Sequence, residues 1–315
     1  MLARTPRGFR DILPPEAAQR EQVVGAVNQV LARAGYRPIE TPTLELLPVL
    51  EELGSITTTP FRMFDRDGEL LTPRPDVTLQ VARLAQAHYE DSDLPLKFRY
   101  NQRVFREQER GRGDVREFTQ IGVEAFGESG RQADYELVQA LLSSLGAAGL
   151  ADCRVLLCTV DVLAAVLAWA DGGPDFDVAV KAALHANDFV HLEELLAAAD
   201  LEEEKRRVIW ELPRIHGGDQ ALAKAQELLR GIYDWKLFAA LWQQLKGSQG
   251  MLELDIDFSV MSSFDYYTGL VFEAYAPGHP GIIASGGRYD HMLAWPAAGF
   301  ALYLENITEA LNADD

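Results

Sequence analysis

Residues 160–250 read as almost wholly helical, and strand patterns stand on both sides of them. The helical reading rests on runs such as Leu192-Glu193-Glu194-Leu195-Leu196, where apolar side chains recur at three- and four-residue steps. Strands that must pair across such a block imply one antiparallel domain built from non-contiguous segments, an α+β arrangement. The expected division is a core of 1–171 and 241–315, with 172–240 as a helical insertion.

The outer segments fill in this frame. Pro14-Pro15-Glu16 opens a helix with Val23, Val24, Val27, Val30 and Leu31 on one stripe and Gly35 as its cap. Residues 36–46 read as extended chain broken by Pro38 and Pro42. A hairpin is expected over 64–72, turning at Asp65-Arg66-Asp67-Gly68, and a helix from Val77 to about Tyr89. Two strands, 96–106 and 116–126, are joined by a Gly- and Arg-rich loop. A helix over 133–149 and a buried strand over 153–159 lead into the helical block. Strands return at 252–258 and 266–275, and a helix closes the chain after Phe300.

Charge narrows the function classes. The net charge is -19 and the pI is near 4.7. Gripping a phosphate backbone takes a basic face, so nucleic acid and anionic membrane are poor candidates as main partners. No long apolar run or secretory h-region is visible, so a soluble cytoplasmic protein is expected. Cys153 and Cys158 lie in one apolar stretch and read as buried thiols, with no metal site implied.

The segment 116–126 carries the most local information. Side chains alternate along a strand, so one face shows Arg116, Phe118, Gln120, Gly122, Glu124 and Phe126. The other shows Glu117, Thr119, Ile121, Val123 and Ala125. The polar face suits either solvent or the floor of a pocket, with Gly122 leaving room for a ligand. Arg103 and Arg106 end the preceding strand.

These stretches, with others, resemble histidyl-tRNA synthetase. Phe105-Arg106 and Arg116-Glu117-Phe118 resemble motif 2 of class II synthetases. Gly8-Phe9-Arg10-Asp11, Pro42 in a motif 1-like setting, Arg74-Pro75-Asp76-Val77-Thr78, Asp265-Tyr266-Tyr267 and Gly286-Gly287-Arg288-Tyr289-Asp290 extend the likeness over nearly the whole chain. The implied fold is an antiparallel sheet flanked by helices. The resemblance implies that Asp76, Thr78 and Gln120 hold an amino acid's ammonium, that Glu124 and Tyr267 read an imidazole, and that Tyr266, Tyr289 and Arg106 help line the pocket. Arg106 and Arg116 are the implied phosphate contacts, since a guanidinium is a fixed fork of donors that stays charged. The Pro42 segment implies a homodimer.

Two departures bear on chemistry. Ser262 stands where the family carries an arginine bridging the substrate carboxylate and the α-phosphate. Asn306 stands where another arginine grips ATP. Losing one preorganised charge contact typically costs about 3–4 kcal/mol, though such losses need not add. The chain also ends at Asp315, with no room expected for an anticodon-binding domain. A paralogous family fits this pattern: the regulatory subunit of ATP phosphoribosyltransferase. That resemblance implies a non-catalytic chain without cofactor. Its partner would be a short catalytic subunit in the first step of histidine biosynthesis, which it activates and exposes to feedback inhibition by histidine. The rival readings are a ligase that adenylates histidine or an analogue for a non-tRNA acceptor, and an interaction module in another complex. His216, His279, the Arg112-Gly113-Asp114 tripeptide and the acidic run at 200–204 read as solvated surface.

Overall fold

The structure is a computed structural model that describes residues 4–53, 60–107, 115–248, 252–262, 267–292 and 294–313. Helix α1 (Glu16–Arg33) buries Val23, Val27 and Leu31 on one stripe. It ends at Gly35, whose φ of +89° takes the left-handed conformation that favours glycine, while the Tyr36 N–H reaches back to the Leu31 carbonyl at 3.0 Å. Strands β1 (Arg37–Pro38) and β2 (Leu44–Leu46) and helix α2 (Leu47–Leu53) follow. Strands β3 (Met63–Phe64) and β4 (Leu70–Pro73) form the expected hairpin. Asp65 Oδ1 organises its turn, accepting from the Asp67 and Glu69 N–H groups, each at 2.9 Å.

Helix α3 (Thr78–His88) leads to the long pair β5 (Leu96–Phe105) and β6 (Glu117–Phe126), which run antiparallel with Phe98 opposite Glu124 and Gln102 opposite Gln120. Helix α4 (Arg131–Ala147) and strand β7 (Arg154–Thr159) precede the helical block: α5 (Asp161–Ala170), α6 (Pro174–His185), α7 (Phe189–Ala198), α8 (Glu203–Glu211), a short strand β8 (His216–Gly217), α9 (Asp219–Leu228) and α10 (Lys236–Ser248). Strands β9 (Glu253–Asp257), β10 (Leu270–Tyr275), β11 (Ile282–Arg288) and β12 (Ala297–Tyr303) and helix α11 (Leu304–Leu311) complete the order.

Nine strands form one sheet in the order β1-β5-β6-β12-β11-β10-β7-β9-β8, and β2-β4-β3 form a small second sheet. The large sheet is antiparallel except at the β1–β5 and β7–β9 pairs. The α+β reading therefore holds, with a mixed sheet rather than a purely antiparallel one. Ile121 and Val123 of β6 join the apolar cluster under α1 and α4, which continues into the helical block through residues such as Leu192, Val208 and Leu212. The alternate face of β6 carries Gln120 and Glu124, both buried.

Gly286 and Gly287 lie inside β11. A Cβ on Gly286 would stand 2.5 Å from the Gly299 carbonyl oxygen, and one on Gly287 would stand 2.5 Å from that of Leu270. The chain closes in a helix after Phe300 as expected: β12 runs to Tyr303 and the helix begins at Leu304. One local expectation needs correction: His279 is half-buried rather than solvated, its Nδ1 accepting from the Gly281 N–H at 3.0 Å and its Nε2 lying 3.2 Å from Glu309 Oε2. The Arg112-Gly113-Asp114 tripeptide falls outside the described residues.

Candidate functional site

Glu124 is the centre of the site. It points from the middle of β6 and is 1% exposed. Its Oε1 accepts from the Thr78 hydroxyl at 2.6 Å and the Tyr100 hydroxyl at 3.2 Å, and its Oε2 accepts from the Tyr289 hydroxyl. These donors come from the start of α3, from β5 and from the end of β11, so three distant segments meet on one carboxyl. Burial pushes that carboxyl up to about 8; the Thr78 and Tyr289 hydroxyls pull the other way, and nearby Asp76 adds to the rise. Gly299 on the neighbouring β12 is required by this placement, since a Cβ there would lie 1.9 Å from Glu124 Oε2.

Gln120 sits four residues before Glu124 on the same face and is 2% exposed. Its Oε1 is buried with no hydrogen-bond partner, an acceptor with no donor to meet it. Asp76 Oδ1 receives the Leu79 N–H at 3.2 Å at the opening of α3.

A cavity of about 30 Å³ joins these groups, and Asp76, Thr78, Arg106, Gln120, Glu124, Tyr267 and Tyr289 all line it. The structure thus brings these candidate side chains together; Tyr266 lies outside the described residues. The same cavity is walled by Ser285, Gly299, Ala301 and Tyr303, which the sequence reading missed. Their signal was present, since Gly299, Ala301 and Tyr303 alternate along one strand, but 297–303 was not read as strand. Gly122 leaves no room for a ligand. The space a Cβ would take there is filled by the Tyr100 phenol, its hydroxyl 2.4 Å from the ideal Cβ position. At roughly 10–15 Å³ per water, the cavity has room for about two waters, so any larger guest must move its walls.

The two motif 2-like arginines do not share this cavity. Arg106 lines it, donating from Nε to the Pro75 carbonyl at 2.7 Å and lying 3.7 Å from Asp76, with its guanidinium 4.9 Å over the Phe118 ring. Arg116 pairs with Glu107, donates to the Arg7 carbonyl at 3.2 Å, and lies 4.5 Å over the Phe61 ring. Of the two departures, Asn306 donates its amide to the Ile282 carbonyl at 2.7 Å, and Ser262 ends a short 3-10 turn, Phe258–Ser262. Among the described residues no group of three or more His, Cys, Asp or Glu side chains is arranged to hold a metal ion.

Comparison with known proteins adds context to this geometry. A family model described as histidyl-tRNA synthetase matches residues 8–307. The chain is 37% identical to the ATP phosphoribosyltransferase regulatory subunit of Moorella thermoacetica, covering 96% of this chain and 80% of the relative. Identity to the protein of the same name from Carboxydothermus hydrogenoformans is 35%, covering 97% and 96%. A solved structure described as an ATP phosphoribosyltransferase regulatory subunit/histidyl-tRNA synthetase from Bacillus halodurans superposes with a TM-score of 0.88 at 28% identity, covering 99% of this chain and 84% of that one.

Proposed function

The chain belongs to the histidyl-tRNA synthetase family and, within it, to the ATP phosphoribosyltransferase regulatory subunits, and from that premise we propose that it senses histidine for a short catalytic subunit. It is a regulatory subunit acting in histidine biosynthesis and does not itself perform synthetase chemistry. The catalytic subunit is its partner, histidine its effector, and the cytoplasm its setting. Residues 1–171 and 241–315 are taken as the core into which 172–240 is inserted; β7 and β9, which flank the block in sequence, pair directly in the sheet.

One observation carries the histidine reading: Gln120 offers a buried acceptor without a donor beside the buried carboxyl of Glu124, in a cavity also lined by Asp76 and Thr78. An ammonium with its three donors and an imidazole N–H with its one are the groups that such acceptors fit. The cavity is smaller than an amino acid, so binding is coupled to movement of its walls. That coupling is how the chain passes the signal to its partner, because a ligand shifts an equilibrium only by its differential affinity for the two states. The adenylating ligase is the weaker reading. Asn306 and Arg116 are engaged within the protein, and Ser262 offers no guanidinium.

A reconstituted complex tests the proposal. The short catalytic subunit alone is expected to be weakly active, the complex more active, and histidine inhibition much stronger in the complex than in the lone subunit. Equal inhibition of the lone subunit defeats the proposal. Histidine-dependent ATP–pyrophosphate exchange by this chain at a synthetase-like rate favours the ligase instead.

A further inference from the structure

A second cleft lies behind the Glu124 pocket, with a volume of about 390 Å³. That falls in the range of roughly 300–1,000 Å³ usual for small-molecule sites. Two segments wall both spaces. Tyr267 and Tyr289 line the pocket, while their chain neighbours Thr268 and Arg288 line the cleft. Adjacent side chains of an extended chain face opposite ways, and the Thr268 N–H binds the Arg288 carbonyl at 2.8 Å to hold the two segments side by side. The opposite wall is the start of α10, where Leu237, Phe238 and Leu241 face the cleft. Leu237 is 70% exposed, an apolar side chain left uncovered.

The charges are unbalanced. Arg288, 6% exposed, is the buried cation of the cleft. It donates to Asp134 Oδ1 at 2.9 and 2.6 Å and to Asp290 Oδ1 at 2.9 Å. Asp161 is the third carboxyl, with Oδ2 accepting from the Tyr233 hydroxyl at 2.8 Å. The other basic groups are engaged at the rim, where Arg131 donates to Gln244 at 2.8 Å and Lys236 lies 3.4 Å from Asp234. Four carboxyls, Asp134, Asp161, Asp234 and Asp290, therefore line the cleft against three cations, Arg131, Lys236 and Arg288, and Asp161 has no basic partner among its hydrogen bonds to Thr159 and Tyr233. In keeping with this, burial raises the Asp134 pKa despite Arg288, and Asp290 and Asp161 add to the rise.

We propose that this cleft binds a small molecule carrying a protonated amine on a short apolar body, the amine among Asp134, Asp161 and Asp290 and the body against Leu237, Phe238 and Leu241. Amino acids and simple alkylamines both meet that description. Because the cleft and the pocket share their dividing segments, an occupant of one bears directly on the walls of the other.

Ligand-observed NMR titrations of the full chain test this with three probes of one apolar shape: isoamylamine, L-leucine and isovalerate. Isoamylamine is expected to saturate and isovalerate not. Saturation by leucine as well assigns the site to amino acids; saturation by isoamylamine alone assigns it to simple amines. Asp161→Asn is expected to weaken isoamylamine at least about tenfold through loss of a charge-assisted bond. Should Asp161→Asn fail to fold, Leu237→Arg at an exposed position places a cation at the mouth and is expected to weaken the amine likewise. The proposal is overturned if no amine saturates at millimolar concentration or if isovalerate binds as well as isoamylamine. It also fails if Asp161→Asn and Leu237→Arg both fold and both leave amine binding intact.

Discussion

Glu124 carries a carboxyl at about 8, against an ordinary value of 4.5, because it is buried. The folded chain thus holds a proton that the unfolded chain releases between those two values. The favourable contribution is fully present below about 4.5 and lost as pH rises through about 8. Glu124→Gln keeps the shape without the charge, so its melting temperature relative to wild type is expected to rise from pH 5 to about pH 8 and then level off. A gap that stays flat across that range would falsify this account of the site. Gly299 makes a steric claim on the same atoms. Gly299→Ala forces a methyl onto Glu124 Oε2 and to within 2.5 Å of the Val123 carbonyl oxygen. Overpacking of this kind costs about 1–3 kcal/mol, to be read as a lowered denaturant midpoint.

At the scale of elements, the site depends on how β11 is tied to the rest of the sheet. Beyond the strand's last residue, Tyr289 reaches Glu124 because Arg288 is anchored to Asp134 in the first turn of α4, and because the Tyr289 N–H binds the Ala297 carbonyl at 2.8 Å. Asp134→Ala removes one partner of a largely buried pair and leaves the guanidinium short of its counter-charge. Breaking a buried pair typically costs about 3–5 kcal/mol. The expected result is a chain destabilised by an amount in that range on chemical denaturation, with histidine affinity reduced as well. A loss of under about 1 kcal/mol would mean that the pair behaves like a surface contact and does not position Tyr289.

Across the whole molecule, the small sheet β2-β4-β3 displays Leu44, Leu46, Met63 and Phe64 to solvent, with Phe64 74% exposed. Pro42, the motif 1-like residue, immediately precedes this sheet. Self-complementary apolar patches are commonly closed by two-fold pairing. A homodimer through this sheet is the expected state, and Phe64→Asp should convert it to monomer in light scattering at micromolar concentration. A wild-type monomer under those conditions refutes the assignment. The sequence by itself determined the helical block between strand segments and the β5–β6 pair, which follow from periodicity and turn chemistry acting over a few neighbouring positions. The side chains converging on Glu124 were legible only through the resemblance to histidyl-tRNA synthetase. The sequence did not reveal β11 and β12 as strands, because their glycine- and alanine-rich stretches have weak local preference. They are strands because they pair in the ladder between β6 and β10, whose close approach leaves room only for glycine at 286, 287 and 299. Nor did it reveal that Tyr100 fills the space at Gly122, or that a cavity sized for a ligand lies behind the pocket rather than in it. Those depend on distances between segments far apart in the chain, which only tertiary packing decides.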